Sequence, residues 1–151
     1  MATKDNAISK EALRHLEKIN VPFNSDSFFQ CVQDQNLNAV RDFLAAGMDP
    51  NVKDAFDATA LMIAANKGYT DMAKILLENG AGVNIKSDDG ITALMAAAYQ
   101  GHEDIVRMFL EHGADVYVKS ESGLTALMAA ESINDAAIIR LLKDAGTEGG
   151  L

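Results

Sequence analysis

Few side chains in this chain could do covalent or metal chemistry. Cys31 is its single thiol, and its imidazoles are His15, His102 and His112. A thiol nucleophile needs an imidazole beside it, and a metal needs several ligands converging. None of the histidines stands at ligand spacing from Cys31 or from another histidine. Asp88-Asp89 and Glu103-Asp104 are neighbouring carboxylates. Neighbours on a helix point apart, so neither pair makes an acid–base dyad. Met62, Met95 and Met128 form a ladder of soft sulfur that in principle suits copper(I). Filling gaps between packed helices accounts for them better. A phosphate-binding glycine loop, a nucleophile elbow and HExxH are all missing, and "GITALM" lacks the phosphate-loop lysine. The expectation is no enzyme, no cofactor and no metal.

The elements that carry these residues recur. "TALM" stands at Thr59–Met62, Thr92–Met95 and Thr125–Met128, in steps of 33 residues. Around it, Gly47, Gly80, Gly113 and Gly146 share one column, Gly68 and Gly101 a second, and Ala64, Ala97 and Ala130 a third. Several columns agreeing at one period mark a repeat architecture. Each unit predicts two helices. Thr caps the first, Leu61, Leu94 and Leu127 begin its apolar face, and the alanines allow close approach. Gly68 and Gly101 turn the chain in the left-handed region, where Asn134 stands in the last unit. Ile105, Val106, Met108, Phe109 and Leu110 face inward from the second helix of the central unit.

Apolar residues at 48% supply a core. With 13 basic and 22 acidic residues the net charge is -9, which disfavours nucleic acid and anionic membranes as main partners. A lone cysteine forms no intrachain disulfide. The polar start MATKDNAISK lacks a secretory h-region, and no apolar run is long enough to span a membrane. A cytoplasmic location is expected, or a periplasmic or secreted one if a leader has been removed.

The segment "DGITALMAAAYQGHEDIVRMFLEHGADV" (Asp89–Val116) resembles the ankyrin repeat. The family pattern runs from a glycine turn through T-P-L-H-x-A-A and G-H to G-A-D-V-N. Ala60, Ala93 and Ala126 replace its proline, and Met62, Met95 and Met128 its histidine. The chain is similar to small stand-alone ankyrin proteins of bacterial type. The resemblance implies an all-α solenoid of about four helix-turn-helix units with finger loops. Residues 1–22 form a tail and capping helix carrying Leu13, Leu16 and Ile19. Residues 23–53 are a degenerate first repeat, with Phe28 in the leucine column and Cys31 in the alanine column. Residues 54–86 and 87–119 are full repeats, 120–146 a capping repeat with Glu131 and Lys143 outward, and 147–151 a flexible tail.

The resemblance further implies protein–protein binding through the finger tips and the first-helix face, by a monomer. Transferring the family's contact columns nominates Phe56, Lys67, Asp88, Asp89, Ile91, Tyr99, Gln100, Glu121, Leu124 and Ile133. Phe56 and Tyr99 are the aromatic candidates, since aromatics supply binding hot spots disproportionately. The alternative for Phe56 is packing on its own finger or the next. Asp57 stands where Gly90 and Gly123 stand, either reshaping its finger or drifting without a role. Lys53, Lys86 and Lys119 form a basic column, either a docking ladder for an acidic segment or plain solvated lysines. A narrower alternative is an inhibitor or immunity-type protein that occludes an enzyme. The remote third is a metal-dependent or hydrolytic enzyme using Cys31 or the histidines.

Overall fold

Each TALM starts a helix. The hydroxyls of Thr59, Thr92 and Thr125 accept the amides of Met62, Met95 and Met128 at 3.3, 3.3 and 3.1 Å. An N-terminal amide with no intrahelical partner is thereby satisfied. The computed structural model describes residues 9–149. Most of the expected N-terminal tail, and the last two residues of the expected C-terminal one, lie outside the described residues. Among the described residues there are nine helices and no strand: α1 (Lys10–Lys18), α2 (Ser25–Gln33), α3 (Leu37–Ala45), α4 (Ala60–Lys67), α5 (Thr70–Glu78), α6 (Ala93–Gln100), α7 (Glu103–Glu111), α8 (Ala126–Ser132) and α9 (Ala136–Gly149).

The helices stack in two rows. α2, α4, α6 and α8 lie side by side, and α3, α5, α7 and α9 form the second row behind them. This is an all-α repeat solenoid. Ala64, Ala97 and Ala130 are fully buried, so first helices approach closely where they carry no bulk. Leu61 and Leu94 are buried, as are Leu76, Phe109 and Leu142 in the second row. The turn between paired helices takes positive φ at Gln35, Gly68, Gly101 and Asn134. At Gly68 two constraints coincide. Its φ is +75°, and an added Cβ would stand 2.6 Å from Cε1 of His102.

The first repeat keeps this geometry with larger side chains. Phe28 and Phe43 meet edge to face at 5.6 Å, and Phe23 stacks on Phe43 at 5.5 Å. Helix α1 lies against α3. It is capped by Ser9, whose hydroxyl accepts the Ala12 amide at 3.1 Å. His15 Nδ1 meets a carboxylate oxygen of Asp42.

Three expectations need correction. Met62 and Met95 are buried, but Met128 is 48% exposed, because among the described residues no further first helix packs on the outer side of α8. Ile19 is 43% exposed at the end of α1, which buries the expected Leu16 together with Ala12. Gly146 does not end a helix, since α9 continues through it to Gly149, so residues 147–149 are helical rather than an irregular tail. In the preceding units Gly47, Gly80 and Gly113 turn the chain toward the next finger. Here no finger follows among the described residues. Glu131 and Lys143 face outward as expected.

Candidate functional site

The fingers are built by short-range hydrogen bonds. Asp54 Oδ1 accepts the amides of Phe56 and Ala58 at 2.8 and 2.9 Å. Ser87 and Ser120 do the equivalent with one hydroxyl each, accepting the amides of Ile91 and Leu124 at 3.1 and 3.0 Å. The turn then needs a positive φ, found at Asp57 (61°), Gly90 (76°) and Gly123 (84°). Asp57 thus keeps the shape that the glycines give the other fingers.

Asp57 also has a role, contrary to the drift reading. Its Oδ2 accepts Lys53 Nζ at 2.9 Å, and the same ammonium donates to the carbonyl of Lys86 at 3.0 Å. This ties finger 54–59 to the base of finger 87–92. The next fingers are joined by the Glu121 amide donating to the Asp89 carbonyl at 2.9 Å. Asn51 and Asn84 accept the amides of Gly82 and Asp115 in the following unit, both at 2.7 Å. The lysine column is therefore not uniform: all three lysines are exposed, but the Lys53 ammonium is engaged by Asp57 and the Lys86 carbonyl.

The nominated residues separate into groups. Phe56 is 86% exposed, so it folds neither onto its own finger nor onto the next. Asp88, Asp89 and Glu121 are exposed at their tips. Ile91 and Leu124 are half-buried against the core, so they chiefly pack the fingers onto the helices. Along the ends of the first helices, Tyr99 is 55% and Ile133 39% exposed. Gln100 donates to Asn66 Oδ1 at 2.9 Å, and Lys67 to Gln33 Oε1 at 3.1 Å, joining successive units into one edge. Lys67 Nζ also lies 5.8 Å above the ring of Tyr69.

A carboxyl pair does exist, though between fingers rather than between sequence neighbours. Asp57 hydrogen-bonds to the Asp88 carboxyl and repels its charge, which pushes the Asp88 pKa above its ordinary value. Lys53 donates to Asp57 and holds that carboxyl below the ordinary value. Split carboxyl pKa values accompany acid–base sites, but this pair lies on an open finger edge rather than in a cleft. Its signal in the sequence was an aspartate at position 57, one period before Gly90 and two before Gly123.

The other reactive groups are structural. Cys31 is buried, and desolvation, followed by the charge of Asp34, raises its thiol pKa. His102 Nε2 meets the carbonyl of Asn66 at 3.3 Å, one unit back. Tyr69, its counterpart, donates to the carbonyl of Gln33 at 3.2 Å. His112 Nδ1 meets the carbonyl of Met108 at 2.8 Å, at a helix C-terminus where a basic group suits the dipole. Among the described residues, no three His, Cys, Asp or Glu side chains gather as a metal site would require.

Residues 28–120 match the family pattern of ankyrin repeats in three copies. The chain belongs to the ankyrin-repeat family. Over 67 residues it is 35% identical to the G patch domain and ankyrin repeat-containing protein 1 homolog of Drosophila melanogaster, covering 44% of this chain and 20% of that protein. Over 72 residues it is 33% identical to potassium channel AKT2 of Oryza sativa subsp. japonica, covering 48% of this chain and 8% of the channel. The chain thus spans a fifth or less of these relatives. Neither is bacterial, so they lend the expected bacterial type no support. Ankyrin repeats are in general protein–protein interaction modules and typically non-enzymatic. No helix among the described residues is long and apolar enough to cross a membrane.

Proposed function

We propose that this ankyrin array binds a partner protein through the concave surface formed by its finger tips and its first helices. The supporting observation is the exposure of Phe56, Tyr99 and Ile133 on three successive units, at 86%, 55% and 39%. Large apolar side chains left outside a well-filled core are what hot spots are made from. The concave side of such an array offers a partner a long shallow surface, which supports this reading.

A pull-down with the tagged native chain and a Phe56→Ala/Tyr99→Ala/Ile133→Ala variant tests this. The variant keeps the native helical signal, because all three side chains lie outside the core. A partner captured by the native chain and lost by the variant is the expected result. A partner retained by both overturns the assignment of this surface.

A further inference from the structure

Building on that reading, we infer that the partner segment is extended and basic, presenting Lys or Arg side chains to the finger tips between apolar residues that meet Tyr99 and Ile133. The finger segments 54–59, 87–92 and 120–125 hold Asp54, Asp57, Asp88, Asp89 and Glu121, and no lysine or arginine. Two of these carboxylates are engaged. Asp54 accepts the amides of its own turn, and Asp57 accepts Lys53. Among the described residues, Asp88, Asp89 and Glu121 take part in no ion pair. The fingers thus present an acidic strip together with the Phe56 ring, which is 86% exposed.

The pairing of ring and acid selects the guest. Phe56 is one residue from Asp57, and Asp57 contacts Asp88 across the fingers. A guanidinium or ammonium group seated there gains the ring face and a charge-assisted hydrogen bond together. Lys53 offsets only part of the effect of Asp57 on Asp88, whose pKa stays raised, and a basic guest adds the remaining positive charge. An acidic guest meets the same potential and is repelled. The lysine column does not reverse this, because Lys53 is turned onto Asp57 and the Lys86 carbonyl. Lys86 and Lys119 stand ahead of the finger segments rather than at their tips.

The test is selection from a random peptide display library on the full chain. Enriched peptides are then measured against two variants, Phe56→Ala/Tyr99→Ala/Ile133→Ala and Asp88→Asn/Asp89→Asn/Glu121→Gln. The expected peptides carry Lys or Arg alternating with apolar residues and are lost on the first variant. They weaken about tenfold or more on the second and weaken further with added salt. Bound peptide also lowers the carboxyl titration midpoint of Asp88, which general loosening of the fold would not do. Neutral or acidic peptides that need Phe56, Tyr99 and Ile133 but ignore the carboxylates would overturn the basic partner and leave the binding surface standing. Peptides indifferent to both variants would overturn both.

Discussion

Residues 23–53 and residues 87–119 make the same unit from different side chains. The central unit packs small: Leu94, Met95, Ala97 and Ala98 are buried on a helix begun by Thr92 and turned by Gly101. The first unit packs large. Phe28, Phe29, Cys31 and Val32 occupy the matching positions, Asn24 caps the helix, and Gln35 takes the turn. An inner unit has neighbours on both sides and must let their backbones come close. Among the described residues the first unit is flanked on one side by α1, a single helix packed on α3, and it fills its own interior with aromatic rings. The shared requirement is helix geometry and volume, and side-chain identity follows from what lies alongside.

Large-to-small changes separate the two units most. Phe43→Ala removes the ring that joins Phe23 and Phe28, and should cost about 3–5 kcal/mol by thermal or urea unfolding. Leu94→Ala leaves a cavity between two repeats and should cost about 2–5 kcal/mol. If the first unit acts as a separate cap, Phe43→Ala should give an early partial transition, whereas Leu94→Ala should lower a single main one. Unchanged unfolding in the latter would contradict its burial.

The turn column gives a smaller effect with opposite signs. Gln35 holds φ +54° with a side chain, and Gly68 holds +75° without one. Gln35→Gly relieves a left-handed side-chain residue and should change stability by no more than about 1 kcal/mol, in the favourable direction. Gly68→Ala gains a Cβ against His102 and should lose about 1–3 kcal/mol. Matched melting curves check the pair, and equal signs would show that the two turns are not equivalent. Next in size is Thr92→Ala, which leaves the Met95 amide without its cap and should cost about 1 kcal/mol.

The smallest expected effect is pH dependence at the fingers. Asp57 has a lowered pKa, so its contribution is present above its unfolded value and fades as pH falls through its folded one. Asp88 has a raised pKa, so its contribution is present below its unfolded value and fades as pH rises through its folded one. The two oppose each other across the carboxylate range, and overall stability should vary little from this source. Carboxyl NMR titration should instead show Asp57 titrating below and Asp88 above the ordinary value. Lys53→Met should raise the Asp57 midpoint. Overlapping midpoints in the native chain would sink the pairing.

The period of 33 was enough to place the fold, because helix starts, turns and buried columns are local choices repeated in register. Thr92, Gly101, Ala97 and Leu94 each spell out their own environment. Met128 shows the limit: its column is buried at Met62 and Met95, where a following first helix packs on it, and the same letter is exposed at Met128, where none does among the described residues. At the fingers, the exposure of Phe56 was legible as an apolar residue in a polar column. The engagement of Lys53 by Asp57 was not, since that depends on side-chain reach across a turn. Nor was Tyr117 anticipated. It stands where Asn51 and Asn84 stand, and its hydroxyl donates to the carbonyl of Gly146 at 2.6 Å.

That last bond has a mechanical meaning. Units in such an array touch only their neighbours, so a chain pulled from its C-terminal end opens one unit at a time. The asparagines stitch each inner unit to the next, and the Tyr117 hydroxyl fastens α9 in their place. Tyr117→Phe keeps the ring and removes the latch, so α9 should peel at lower force while the inner units rupture as before. A stacked array then behaves less like a block than like a zip fastener, with a phenol as its end stop.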